Sequence, residues 1–138
     1  VARILALDYG TKRTGIAITD PFQLIASGLT TVATVDLWDF LEQYLREEEV
    51  ERIVVGEPRQ MDNTPSEVEG AIGKFLKEFN KRFPHLPVSR EDERFTSKMA
   101  LRAMVEGGMK KKKRRQKETL DQISATLILQ SFLSRKTP

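Results

Sequence analysis

The sequence predicts an α/β domain in which helices pack on a mixed five-stranded sheet, and three observations carry that reading. Short apolar or β-branched runs at 4–7, 15–19, 29–35, 52–56 and 87–92 have the length and composition of strands. Segments at 37–49, from 64 to 83, after 96 and from 119 to about 133 repeat apolar residues every three to four positions, as amphipathic helices do. The order is three strands, then helix, strand, helix, strand, helix, a basic loop and a last helix, which suits helices layered on a sheet.

The first strand, Ile4, Leu5, Ala6 and Leu7, delivers one carboxylate, Asp8, and breaks at Gly10. An acid at the end of a buried strand is costly unless it is paired, hydrogen-bonded or bound to a cation. The plainer role for Asp8 is to cap a hairpin turn. The chain resumes at Gly15 through Ile16, Ala17 and Ile18, stops at Asp20-Pro21, and returns in a weaker segment at 29–35, making an antiparallel meander. Asp36 reads as the N-cap of the next helix, with Asp39 in its first turn, where the helix dipole favours acids. Leu37, Leu41, Tyr44 and Leu45 share the inner face, and Trp38 and Phe40 are expected to pack rather than to stack bases.

Residues 52–56 form a fully apolar strand that runs into Glu57-Pro58. Thr64-Pro65-Ser66-Glu67 then starts a helix, with Thr64 as N-cap, Pro65 in the first position and Glu67 closing a capping box. Val68, Ile72, Leu76, Phe79 and Phe83 line its face, and Pro84 ends it. The strand at 87–92 finishes in Glu91, Asp92 and Glu93. Thr96 or Ser97 opens a helix that stops at Gly107-Gly108, with Ala100, Leu101, Met104 and Val105 inward. Thr119 to Gln122 repeats the capping-box pattern and opens the last helix, where Leu120, Ile123, Leu127 and Ser131 share one face with Ile128 on its flank.

A chain of 138 residues suits one domain with a sizeable core, so 1–138 is read as a single domain. With 39% hydrophobic and 31% charged residues, the composition is that of a soluble globular protein. No apolar run approaches the roughly 18 residues of a membrane span, and the sequence enters its first strand without a secretory leader, so no membrane partner is expected. The lack of cysteine excludes disulfides and thiolate metal sites and fits a reducing, cytoplasmic setting. His85, between Pro84 and Pro87, reads as a surface residue rather than a ligand.

The net charge of +3 hides an asymmetry. Lys110, Lys111, Lys112, Lys113, Arg114, Arg115 and Lys117 hold seven of the 23 basic residues in one acid-free tract, leaving 16 bases against 20 acids elsewhere. Such tracts are often solvated loops. Beside an acid cluster, attraction to phosphates through counterion release is the favoured reading.

The acids share a topological feature. Asp8 and the Asp92/Glu93 pair each end a strand, and Asp121 opens the last helix just before Ser124 and Ala125, which are small enough to let that helix approach the sheet. If the three positions converge, mutual repulsion requires protons or divalent cations to share them. Carboxylates without histidine or thiolate favour Mg2+ or Mn2+. Two such ions about 3.5–4 Å apart can activate water and stabilise a leaving phosphodiester oxygen. Each acid also has a structural explanation: the helix dipole for Asp121, worth about 0.3–1 kcal/mol, and a surface pair with Arg90 or Arg94 for Glu93.

With DYGTKRTG at 8–15, VVGEP at 54–58, DERFTS at 92–97 and LDQISATLILQSFL at 120–133, the chain resembles the YqgF family of ribonuclease H-like proteins. Members are named for pre-16S rRNA processing or for likeness to Holliday junction resolvases. The pieces stand in the family's order and span nearly the whole chain. The resemblance implies a ribonuclease H-like fold and divalent-metal-dependent phosphodiester hydrolysis in ribosome biogenesis. It makes Asp8, Glu93 and Asp121 the catalytic residues and metal ligands, with Asp92 open as an alternative to Glu93 until strand register decides. Two positions depart from the family pattern. Glu57 replaces a usually apolar residue and, beside Pro58 and Arg59, is read as facing solvent rather than adding a carboxylate. Asn63 stands where glycine is common. Lys12, Arg13 and the tract at 110–117 are the expected grip on a nucleic-acid backbone.

The expected partner is structured RNA, the 5′ end of the small-subunit rRNA precursor by resemblance alone. Branched DNA is the runner-up, and it asks for a homodimer where RNA is served by a monomer or homodimer. DYGT followed by Gly15 also looks like the first phosphate loop of actin-like ATPases, but those enzymes need two such lobes. A non-catalytic RNA-binding assembly factor shares every feature of the basic tract.

Overall fold

In the computed structural model, which describes residues 2–58, 68–93 and 113–136 (side chains of 113–117 and 136 excepted), five strands form one mixed sheet. β1 (Arg3–Asp8), β2 (Arg13–Thr19) and β3 (Ala26–Ala33) make the antiparallel meander. β4 (Val50–Glu57) and β5 (Val88–Asp92) lie parallel to β1 on its other side, giving the order β3-β2-β1-β4-β5. Each of the five expected strands is present. β3 starts at Ala26, earlier than its apolar content indicates, because an edge strand half open to solvent needs no apolar run there.

Central β1 divides its side chains between two cores by simple alternation. Leu5 and Leu7 face α1 (Leu37–Glu47) and α2 (Glu69–Arg82), in a cluster with Ile53, Val55, Ile72 and Phe79. Ile4 and Ala6 face α3 (Lys113–Lys136), with Ala17, Val54, Ala125, Ile128 and Leu129. Covering on both faces explains why 4–7 and 53–55 read as continuous apolar runs. Among the described residues no helix is long and apolar enough to cross a membrane.

α1 begins at Leu37 as expected. Asp36 belongs to a 3-10 turn, Thr34–Asp36, and its side chain makes no capping bond. Trp38 packs against Phe75 with ring centroids 4.8 Å apart and carries the Arg82 guanidinium 4.3 Å from its own centroid, so it is part of the packing and not a base platform. The helix start at Thr64 and the helix expected after Thr96 or Ser97 lie outside the described residues.

α3 corrects the sequence reading twice. It begins at Lys113 and not at Thr119, so Thr119 is no cap and the basic residues from 113 onward are helical rather than loop. Asp121 consequently lies well inside the helix, where the dipole, felt within the first turn only, offers it nothing. The buried stripe is Leu120, Asp121, Ser124, Ala125, Ile128 and Leu129, whereas Ile123 is exposed and Leu127 only half-buried. The physical reason is a close approach. A Cβ on Gly15 would overlap the backbone carbonyl of Asp121. No described glycine has positive φ, so glycine at 15 is a steric requirement and not a conformational one. Small side chains then face the sheet near this point of contact, and Ile128 and Leu129 farther along are fully buried. Each contributes about 1.5–3 kcal/mol of transfer energy as an upper estimate.

Gly15→Ala is therefore expected to destabilise the protein by about 3 kcal/mol, at or above the usual range for overpacking, because backbone and not a flexible side chain is in the way. Gly73→Ala, inside α2 with nothing within 4 Å of its would-be Cβ, is expected to stabilise by about 0.5–1 kcal/mol. Urea unfolding of both variants checks the pair; a neutral Gly15→Ala would contradict the close approach.

Candidate functional site

The same alternation that sends Ala6 toward α3 sends Asp8, the last residue of β1, to that face. Its neighbour on β2 is Gly15. On β4, Leu7 pairs with Val55, so Gly56 adjoins Asp8 on the other side. Each flanking glycine admits a different acid. The Asp121 backbone rests on Gly15, and the Glu93 carboxylate lies against Gly56, where a Cβ would come 2.7 Å from both Glu93 Oε2 and Ile128 Cδ1. Asp8, Glu93 and Asp121, far apart in sequence, thus reach one end of one sheet face, and all three are buried.

The convergence is partial. Asp8 and Asp121 line a single cavity of about 240 Å³ together with Tyr9, Gly10, Thr11, Lys12 and Arg13. Glu93 is not part of that wall, and among the described residues no three acid or histidine side chains stand close enough together to hold one ion. Asp92 is half-buried, pairs in register with Glu57, and lines a second cavity of about 640 Å³ with Glu57, Arg90, Glu91, Ser131 and Arg135. Register pairs Gly56 with Glu91 and Glu57 with Asp92, and it is the carboxylate of Glu93, just past β5, that lies against Gly56. Glu57 is half-buried in the wall of this second cavity instead of lying open to solvent.

The loop between β1 and β2 is held by one residue. The Thr34 amide donates to the Lys12 carbonyl at 2.9 Å, and its hydroxyl donates to the Gly10 carbonyl at 2.6 Å. The Thr14 and Thr34 hydroxyls are 3.0 Å apart. Nothing in the local sequence of Thr34 announces this role, although the β2–β3 register, with Arg13 opposite Ala33, places it there. Arg13 Nε donates to Asp121 Oδ2 at 2.7 Å, a pair that spacing along the chain does not reveal. Lys12 is exposed beside the cavity. Lys113, Arg114, Arg115 and Lys117 occupy the first turns of α3, and Lys110, Lys111 and Lys112 lie outside the described residues.

Other charges near the site have structural partners. Arg90 grips Glu69 through both terminal nitrogens, at 3.0 and 2.9 Å, and donates to the carbonyls of Val55 and Gly56. Of the two surface partners considered for Glu93, Arg90 is thus engaged with Glu69, and Arg94 lies outside the described residues. Buried Glu91, to which the sequence assigns no role, accepts hydrogen bonds from Ser131 and, at 2.5 Å, from Arg135. The i, i+4 spacing of Ser131 and Arg135 on α3 is the available sign. His85 is exposed and lines a separate cavity with Arg46 and Leu86.

Two carboxylates on one polar cavity, with neither thiolate nor imidazole in its wall, suit a hard cation that keeps several of its waters, as magnesium does. Ser124 Oγ, buried one turn after Asp121, has no hydrogen-bond partner among the described residues, so the protein holds spare polar capacity on this stripe. Burial pushes the Tyr9 phenol above its ordinary value of 10.0; its ring packs on Phe75, 5.1 Å between centroids, with the α1/α2 core.

The family model described as "RuvX: Holliday junction resolvase" matches residues 2–135. A protein of Christiangramia forsetii named "Putative pre-16S rRNA nuclease" is 63% identical over 133 residues, 96% of this chain and 98% of its own length. One of the same name from Flavobacterium psychrophilum is 53% identical over 134 residues, 97% of this chain and 98% of its own. Among solved structures, "T. thermophilus RuvC in complex with Holliday junction substrate" superposes with a TM-score of 0.56 at 17% identity, covering 99% of this chain and 98% of that one. The likeness is one of fold, which is ribonuclease H-like as expected.

Both tyrosines of the chain, Tyr9 and Tyr44, are pushed upward chiefly by burial. Their folded-state values exceed their unfolded ones, so their contribution to stability is complete below 10.0 and is lost as pH rises through the folded values. Absorbance titration of the folded protein is expected to place both phenol midpoints above 10.0. A phenol with its midpoint below that value would contradict the packing of the Tyr9 ring on Phe75 or of the Tyr44 ring on Phe40.

Proposed function

The chain belongs to the RuvX family, and from that premise we propose that it is a divalent-metal-dependent nuclease that hydrolyses phosphodiester bonds, processing the 5′ end of pre-16S rRNA. The observation that carries the reading is that Asp8 and Asp121, at opposite ends of the sequence, are buried and line one cavity. In the proposal these two hold the cation, Mg2+ or Mn2+, and Glu93, against Gly56 and outside that wall, supplies the third carboxylate by turning toward the ion. When bound, the ion supplies charge stabilisation and a more acidic water. The chain's own residues do the rest. Lys12 borders the cavity as a donor to a phosphodiester, and the loop that carries it is fixed by Thr34. Lys113, Arg114, Arg115 and Lys117 belong to α3, and a phosphate backbone is the counter-charge that such a basic stretch attracts.

A second reading, cleavage of branched DNA, draws on the family's description and on the fold likeness to RuvC with its junction. The RNA substrate is preferred because the relatives at 63% and 53% identity share the rRNA name. Side-by-side assays on a four-way DNA junction and a precursor rRNA fragment separate the two. A non-catalytic RNA-binding role would instead leave both substrates uncut.

Asp8→Asn and Asp121→Asn are each expected to reduce cleavage by more than the roughly 10–100-fold typical of changes behind a metal ligand, with the circular dichroism spectrum unchanged. Undiminished cleavage by either variant, in a preparation free of contaminating nuclease, contradicts the assignment. Neutralising Lys110, Lys111, Lys112 and Lys113 is expected to flatten the salt dependence of RNA affinity, the slope falling by about 0.9 for each duplex phosphate that is no longer neutralised. An unchanged slope would put the binding surface elsewhere.

A further inference from the structure

Arg13 stands between the two tasks of the proposed site. Its side chain is 34% exposed, while that of the acid it pairs, Asp121, is 6% exposed. The bond at 2.7 Å uses Nε, one of five guanidinium donors, and Arg13 lies in the wall of the cavity that Asp8 and Asp121 share. Such a pair makes burial of Asp121 tolerable, because a buried carboxylate without a counter-charge is strongly destabilising. The same pair obstructs a dication. A guanidinium bonded to one of two candidate ligands brings a positive charge within a few ångströms of the position the ion must take, where repulsion between like charges is at its strongest. Pairing with Arg13 and binding of a dication are therefore alternatives at Asp121.

Release of Arg13 has a direct consequence. It follows Lys12, whose carbonyl is held by Thr34, so its backbone stays fixed at the cavity wall while the long side chain is free to turn outward. A guanidinium there, next to exposed Lys12, matches a phosphate in bidentate geometry. We infer that Arg13 is an exchangeable counter-ion: without metal it neutralises Asp121, a divalent cation displaces it, and the freed guanidinium pairs with a phosphate of the nucleic acid. This rests on the reading of Asp8 and Asp121 as the cation's ligands. It makes Arg13 a positioning residue that links metal loading to substrate binding, and by linkage substrate in turn strengthens metal binding.

The test uses Mn2+ and the full chain without nucleic acid. Mn2+ affinity is measured by calorimetry and electron paramagnetic resonance for the wild type, Arg13→Gln and Arg13→Lys, with melting curves to show that each is folded. Arg13→Gln is expected to bind Mn2+ about tenfold more tightly, since a competing charge is gone, and Arg13→Lys, which keeps the charge, to bind as the wild type does. In the wild type, the Arg13 Nε–H resonance, identified by its absence in Arg13→Lys, is expected to lose its protection from exchange as Mg2+ is added. Equal or weaker Mn2+ binding by Arg13→Gln, or an Nε–H signal indifferent to Mg2+, overturns the exchange and leaves the metal reading standing. Absence of Mn2+ binding in both the wild type and Arg13→Gln overturns both.

Discussion

The missing side chain at residue 15 is the constraint on which the site depends. Because Gly15 has no Cβ, the backbone of α3 settles directly on β2 at Asp121, and that contact fixes both the height and the rotation of a 24-residue helix. Gly56 plays the matching part on the other side of Asp8, leaving room for the Glu93 carboxylate and for Ile128. A strand-end acid flanked by two glycines is thus a strand-end acid to which two further carboxylates can come close. The acids do not attract one another. They are gathered by packing that would be sterically impossible with larger residues beneath them.

Gathering acids has a cost, and the structure offsets it locally. Asp121 is paired with Arg13, and Glu91 is held by Ser131 and Arg135 from the far half of α3. Arg90, which by sequence distance could have neutralised Glu93, instead ties Glu69 of α2 to the end of β4 on the opposite face. The apolar side chains of α3 supply the adhesion. Ile128 and Leu129 are fully buried, and their burial works against the penalty of lowering a carboxylate onto the sheet a few turns earlier. With the helix dipole removed as an explanation for Asp121, the Arg13 guanidinium 2.7 Å away is the counter-charge that helps to account for an acid in the middle of a buried stripe.

Much of this is legible in the sequence, and the remainder is hidden for identifiable reasons. Strands buried on both faces announce themselves as runs, which is why β1 and β4 are plain, and Asp8 stands out as the first charge after such a run. The edge strand β3 is blurred because half of it meets solvent. The start of α3 is misplaced by sequence because capping residues at 119–122 are a strong local sign, whereas the basic tract before them has no apolar period, although lysine and arginine are themselves good helix formers. The buried face of α3 is rotated from the apolar stripe because close approach favours Ser124 and Ala125 over Ile123 and Leu127. Pairs such as Arg13 with Asp121, or Thr34 with Gly10, join segments distant in sequence and follow only from register. The choice between Asp92 and Glu93 is open in the sequence for the same reason, and only the packing of the Glu93 carboxylate against Gly56 distinguishes them.

The central claim is that Asp8 and Asp121 share one cation across the cavity between them. Anomalous diffraction from a crystal soaked in Mn2+ tests it most directly. A manganese peak within coordination distance of carboxylate oxygens from both residues is the predicted result. A peak bound elsewhere, or one that touches neither acid, would contradict it.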